Sequence, residues 1–328
     1  MRIAVTGSIA TDHLMVYPGR FTDQLLAEHL DRVSLSFLVD GLEIRRGGVA
    51  ANIALGLGRL GLRPVLAGAV GTDFADYREW LHAGGVDTCL VHVSPAHHTA
   101  RFMCTTDADQ NQIATFYAGA MADARDITLA PATRRIGGLD LVVIAPNDPE
   151  AMRRHTEECR RLGLPFAADP SQQLARLDGR QTRQLVDGAR FLFTNAYEAE
   201  LLKRRTGWQE QDILDRVGSW ITTHGADGVT LDRSGAPQIH VPATVTPHLV
   251  DPTGVGDAFR AGFLAGVAWQ WPDERSAQFG CALAAVVLES VGTQEYKLSA
   301  ADLLLRIEQA YGPAAAEAIA PQLTAIAP

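Results

Sequence analysis

The sequence predicts an α/β protein: a mainly parallel, doubly wound sheet flanked by helices, carrying a small β-sheet lid. Three observations lead there. Short apolar runs alternate with helical stretches along most of the 328 residues. Two segments, 16–43 and 92–118, break that rhythm with alternating, aromatic-dotted strands and no crossover helix between them. The last third turns helical.

In chain order, strands are expected at 3–6, 64–67, 141–145, 166–168, 191–194 and 229–232. Helices are expected at 52–60, 149–162, 212–222, 256–269 and 274–291, and the alanine-rich tail after Tyr311 is helix-prone. The two strand-only segments read as insertions forming an antiparallel lid over one end of the sheet, because ligands bind at the carboxyl ends of parallel strands. The organisation expected is one domain over 1–328.

Bulk chemistry removes several classes. A formal net charge of −9 argues against nucleic acid as the main partner. No apolar stretch is long enough to span a bilayer, and the first residues read as a strand rather than a signal peptide. The four cysteines are scattered without a CxxC pair, which suits reduced thiols and a cytoplasmic protein. The only lysines, Lys203 and Lys297, lie in no GxxxxGK[ST] loop.

The strongest motif is Asp251-Pro252-Thr253-Gly254-Val255-Gly256-Asp257. Its glycines let backbone approach a ligand, and the helix that follows turns free N–H groups toward an anion. Asp257 at that helix start can sit ionised beside a substrate hydroxyl. The plainer account is a helix cap with Asp as the capping residue, although two glycines and Asp251 exceed what a cap requires. Arg46-Gly47-Gly48 leads into a helix with Asn52 in its first turn, leaving room for a sugar whose hydroxyls Asn52 would bond; an ordinary glycine turn explains the same residues equally well. Gly56-Leu57-Gly58-Arg59-Leu60-Gly61 spells GxGxxG, but it closes a helix and precedes a strand. It is read as close packing and a helix stop rather than a dinucleotide fingerprint.

Asp12, past the end of the first strand, can accept two hydrogen bonds from a cis-diol, or it is a solvated loop acid. Asn195 would meet phosphates, and Glu198 would order water around Mg2+; a helix capping pair is the competing account. Thr223-His224-Gly225-Ala226-Asp227-Gly228, read as a helix-to-strand turn, offers backbone donors and a hydroxyl to phosphates. Phe102 and Phe116 in the lid, with Gln172 and Gln173 after a strand, suit a purine better than a bare sugar. His97-His98 marks a lid turn rather than a metal site.

Together the 47–52 and 251–257 motifs resemble the paired signatures of the ribokinase-like (PfkB) carbohydrate and nucleoside kinases. The resemblance extends to Asp12, to Asp73 in Gly71-Thr72-Asp73, to Asn195 with Glu198, and to 223–228. The stretches 5–14, 168–173 and 251–260 look like the adenosine kinases of actinobacteria. Val255 departs from the small residue usual between the two glycines.

The resemblance implies transfer of the ATP γ-phosphate to the 5′-hydroxyl of adenosine, giving AMP and ADP in purine salvage. By position it implies Asp257 as base, with the amides of Gly254, Val255 and Gly256 as anion hole. It implies ribose binding by Asp12, Gly47, Gly48 and Asn52, and a nucleoside pocket from Ser8, Phe102, Phe116, Gln172 and Gln173. ATP falls to Asn195, Thr223, Gly225, Gly228 and Gly256. Mg2+ would be reached through water by Glu198, and a K+ site would use Asp251, Thr253, Ser290 and Gly292. A homodimer formed through the lid is a further expectation. A ribose or fructose kinase and a non-catalytic nucleoside-binding protein are the alternatives.

Overall fold

The computed structural model describes residues 1–24, 34–130, 133 and 137–323. Part of the expected lid insertion (25–33) and the last of the helix-prone tail (324–328) lie outside the described residues. Labels below number the described elements.

The chain opens with β1 (Ile3–Thr6), then the lid strands β2 (Ala10–Val16) and β3 (Gly41–Gly47), and α1 (Val49–Arg59). Next come β4 (Val65–Val70), α2 (Ala75–Ala83), β5 (Asp87–Val93) and two more lid strands, β6 (Ala100–Thr106) and β7 (Gln112–Tyr117). Alternation resumes with β8 (Leu141–Ile144), α3 (Pro149–Leu162), β9 (Phe166–Ala168), α4 (Gly179–Val186), β10 (Phe191–Asn195) and α5 (Ala196–Thr206). The short α6 (Glu210–Leu214) precedes β11 (Ser219–Thr223), β12 (Val229–Asp232) and β13 (Ile239–Val241). The helical end comprises α7 (Val255–Ala268), α8 (Asp273–Leu288), α9 (Ala300–Tyr311) and α10 (Pro313–Leu323).

Nine strands form one sheet in the order β13-β12-β11-β10-β9-β8-β1-β4-β5. From β11 to β5 every pairing is parallel, while β12 and β13 are antiparallel. Continuous apolar runs such as Ile3–Thr6 and Leu141–Ile144 are fully buried because helices cover both faces. One large cluster joins β1, α1, α7 and α8; a second packs α3, α4 and α5 on the other face.

The second sheet has four strands, β3-β2-β6-β7. Its β2–β6 pair is parallel, so the lid is mixed rather than antiparallel as expected. β6 and β7 lie inside the expected segment 92–118, whereas β2 and β3 straddle the two ends of 16–43, β2 ending at Val16 and β3 starting at Gly41. Asp73 pins the lid to the main sheet: it accepts hydrogen bonds from the Thr99 amide and hydroxyl and from Arg101 Nη2 (2.7 Å) at the start of β6. His97 and His98 lie just before, each beside an aspartate.

The expected helix over 212–222 is corrected. Its periodicity ends at Leu214, and Ser219–Thr223 is a buried strand whose apolar residues pack in the sheet core. Consequently 223–228 joins two antiparallel strands rather than a helix and a strand. The GxGxxG stretch behaves as packing. A Cβ on Gly56 would sit 2.6 Å from the Ala261 Cβ, and one on Gly58 would sit 2.1 Å from the Gly84 carbonyl.

Candidate active site

The parallel strands bring their carboxyl ends to one edge, and the lid strands rise from it. There a cleft of about 580 Å3 opens between the lid and the first turns of α1 and α7. Gly48, at φ +95°, sits where a Cβ would lie 2.6 Å from the Ser8 carbonyl; only glycine lets α1 begin that close to the β1 loop. Ser8 Oγ accepts from the Val49 amide, tying the two segments.

Asn52, Gly254 and Asp257 meet at the floor. Gly254, at φ +78°, is the residue that caps α7, and its backbone packs on Thr293. Asp257 lies one turn inside the helix and makes no capping bond, so the cap account of this residue is set aside. Its Oδ2 instead accepts a hydrogen bond from Asn52 Nδ2 at 2.8 Å. Burial pushes Asp257 up to about 6, against the pull of Arg260 and the Asn52 bond. The helix dipole and the unsatisfied N–H groups of this first turn favour an anion at Gly254–Gly256.

Four lid residues face one another across strands. Asp12 on β2 is the register partner of Arg45 on β3 and Phe102 on β6, and Phe102 is that of Phe116 on β7. Directly opposed residues share a face, so carboxylate and rings look into the cleft together. Burial and the nearby Glu295 push Asp12 up to about 6, with Arg45 opposing. Gln172 and Gln173, in the turn after β9, complete the wall opposite.

Thr253 also lines the cleft. The other expected residues lie outside its lining. Gly47 is one step back, its carbonyl accepting from the Tyr77 hydroxyl at 2.8 Å. Val255 and Gly256 form the turn behind Gly254. Asp251 ties the amides of Thr253 and Gly292 together, both at 2.9 Å, with Ser290 close by on the chain.

Asn195 and Thr223 are register partners at the ends of β10 and β11, further along the same sheet edge. Asn195 and Glu198 form a reciprocal capping box, each side chain bonding the other's backbone N–H at 2.8 Å. Gly225 faces open space, whereas Gly228 is held by packing, a Cβ there falling 2.1 Å from the Val241 carbonyl.

Sequence reading missed the residues beneath the floor. Arg260, one turn past Asp257, is buried and donates to Asp169 Oδ1 at 2.7 Å, with its Nε 2.7 Å from Oδ2. Burial raises Asp169 to about 7, against Arg260. A lone arginine in the apolar helix 255–268 was the available signal. Thr293 and Gln294, which both bond Asn52, gave no local signal. Arg176 lines the cleft beside Gln173.

Residues 6–300 match the family model described as pfkB family carbohydrate kinase. A nucleoside kinase of Methanocaldococcus jannaschii is 30% identical over 250 residues, 76% of this chain and 80% of that protein. The structure of a Burkholderia thailandensis nucleoside kinase in complex with inosine has a TM-score of 0.82 and 33% identity, covering 94% of this chain and 98% of that one. A structure of the same enzyme in complex with ADP-inosine has a TM-score of 0.79 and 34% identity, covering 94% and 96%. With a family match over most of its length, a fold shared with solved relatives over 94% of the chain, and a glycine turn and carboxylate at the floor of its cleft, the chain belongs to the pfkB family of carbohydrate kinases and has the ribokinase fold.

Proposed function

We propose that the protein is a nucleoside kinase whose preferred acceptor is the 5′-hydroxyl of adenosine, giving AMP and ADP and serving purine salvage. One observation carries this reading: Asp257 lies at the floor of a cleft whose far walls are Phe102, Phe116, Gln172 and Gln173. A pocket for a free sugar has no use for two rings and two amides at its outer end. The glutamine amides offer both donors and acceptors to the pairing edge of a purine.

In this reading the whole chain works as one kinase domain with its lid. Asp12, Gly47, Gly48 and Asn52 hold the ribose, and Ser8 steadies the α1 start beside it. Asp257 takes the 5′-hydroxyl proton as the O5′–Pγ bond forms and the bond to the β–γ bridging oxygen breaks, releasing ADP. The amides of Gly254, Val255 and Gly256 stabilise charge on the transferring group; removing such a donor typically costs about 3 kcal/mol. ATP extends along the sheet edge past Asn195, Thr223, Gly225 and Gly228.

Mg2+ would travel with the triphosphate. Glu198 Oε2 already accepts from the Asn195 amide at 2.8 Å, which holds the carboxylate in its helix cap and fits a contact through water better than direct ligation. A K+ ion would draw on the oxygen donors around Asp251, Thr253, Ser290 and Gly292, and Arg45 Nη1, 4.0 Å from Asp251, would compete with it for that carboxylate. The protein is further proposed to act in the cytoplasm, where ATP and nucleosides meet. Among the described residues no helix is long and apolar enough to cross a membrane.

The deciding experiment is an ADP-release assay with adenosine, inosine, ribose and fructose, run with and without KCl and MgCl2. Adenosine is expected to give the highest kcat/KM. A higher value for ribose or fructose would favour a sugar kinase, a higher value for inosine would move the base preference, and no turnover with any of the four would favour a binding protein.

A further inference from the structure

The amide of Asn52 is useful to Asp257 in only one orientation. With Nδ2 toward the carboxylate it donates a hydrogen bond; flipped, it would set Oδ1 lone pairs against a negative charge. An amide is nearly symmetrical in shape, so its polarity must be fixed by its neighbours. Thr293 cannot do this. Its hydroxyl lies 3.0 Å from both the Arg46 carbonyl and Asn52 Oδ1, and having one proton it can serve either amide orientation.

Gln294 can. It is fully buried, and its Nε2 lies 2.7 Å from Asn52 Oδ1. Two groups of fixed polarity hold it that way round. The Trp80 indole N–H, which can only donate, lies 3.0 Å from Gln294 Oε1. The Tyr77 hydroxyl spends its proton on the Gly47 carbonyl at 2.8 Å, leaving its oxygen to accept from Gln294 Nε2 at 2.6 Å. A donor-only indole and an acceptor-only carbonyl therefore dictate the same orientation from two directions. The polarity passes unbroken through Gln294 and Asn52 to the carboxylate.

We propose that Gln294, set by Trp80 and Tyr77, is a positioning residue that fixes the Asn52 amide so that it donates to the phosphoryl-acceptor base Asp257. The proposal rests on the reading of Asp257 as that base. The other charged groups around Asp257 are Arg260 on its own helix, Asp169 after β9 with Glu198 from α5 beside it, and Asp12 from the lid across the cleft. None of them contacts Gln294, so changing Gln294 acts on the base through Asn52. A bond donated to the ionised form favours ionisation, and losing it moves titration to higher pH.

The test is the pH dependence of kcat/KM and kcat for adenosine between pH 5 and 9, in the wild type, Gln294→Met and Asp257→Asn. Folding of each variant is checked by thermal unfolding. In Gln294→Met the acid limb is expected to move up by about one pH unit, a loss in rate of about fivefold at pH 6 and about ninefold at pH 5, with a much smaller loss at pH 9. A folded Gln294→Met enzyme with the wild-type profile, or one equally impaired at every pH, overturns the proposal and leaves Gln294 as packing. If Gln294→Met does not fold, Tyr77→Phe combined with Trp80→Phe decides by the same criteria, because Gln294 then remains but is free to rotate. Near-normal turnover in Asp257→Asn would bring down the base reading itself. An inactive Asp257→Asn with an unshifted Gln294→Met sinks only the positioning role.

Discussion

Asn52 Nδ2 donates to Asp257 Oδ2 over 2.8 Å, joining two residues 205 positions apart in the chain. The contact exists because α1 and α7 approach closely, Gly56 on one admitting Ala261 on the other. It pulls the proposed base toward its ionised form against the larger push of burial, and the first two predictions concern that base.

Asp257→Ala or Asp257→Asn is expected to leave a folded protein with phosphoryl transfer reduced about 10²–10⁴-fold, the usual contribution of a general base. The ADP-release assay and a thermal unfolding curve check this together. Near-normal turnover by a folded variant would remove Asp257 from the chemistry.

The rate should fall as pH drops through about 6. Burial raises Asp257 to about 6, and a base must be ionised to accept a proton, so activity is held above that value and lost below it. Asp12, also raised to about 6, should lose its grip on the diol over the same range. The first effect belongs in kcat and the second in KM. Profiles of each parameter separate them, and a kcat flat from pH 5 to 8 would contradict the assignment of Asp257.

Asp12→Ala is expected to raise the adenosine KM strongly and nearly abolish discrimination against 2′-deoxyadenosine. A carboxylate that accepts from both diol hydroxyls loses half its partners when one is absent. Unchanged discrimination in the variant would return Asp12 to a structural role beside Arg45.

Gly58→Ala tests the GxGxxG stretch. Its Cβ would fall 2.1 Å from a backbone carbonyl, which cannot rotate away. Overpacking of this kind costs about 1–3 kcal/mol, read as a lower midpoint in urea. KM for ATP should be unchanged in the folded variant, since these glycines pack helices; a selective rise would revive a nucleotide role.

The protein is expected to be a homodimer through the lid. Leu42 and Ile44 on β3, with Ile113 and Tyr117 on β7, are exposed on the lid face turned away from Asp12, Phe102 and Phe116. Among the described residues β3 and β7 are also the edge strands of that sheet, and proteins tend to pair or cover such edges. Light scattering at micromolar concentration should give about twice 35.3 kDa. A clean monomer mass, unaltered by adenosine, would refute it.

Much of the architecture was legible because burial writes itself into short windows. The strand Phe166–Ala168 and the helix Pro149–Leu162 stand where the sequence placed them. The helix expected over 212–222 failed because the apolar pair Ile213–Leu214 that ends α6 lies only four residues before the buried β11, so one periodic reading spanned them. The parallel β2–β6 pairing was hidden because strand direction inside a lid leaves no mark on composition. At the site, the glycine turns and the carboxylates Asp12 and Asp257 announced themselves. Thr293, Gln294, Tyr77 and Trp80 did not, since each is unremarkable until the fold brings it to Asn52.

The long separation within the Asn52–Asp257 pair bears on synthesis as well as on catalysis. By the time β13 has left the ribosome every strand of the sheet has been made, yet α7, Thr293 and Gln294 are still to come. Contacts so distant in sequence form only after the intervening chain has closed its loop. At that point the strands and lid have been synthesised, while one face of the sheet still awaits α7 and α8, the carboxylate is missing and the Asn52 amide is unconstrained. The proposed base and the amide that orients Asn52 are thus made after every strand, so a chain cut before Asp257 would hold the lid residues of the cleft without the group proposed to take the proton.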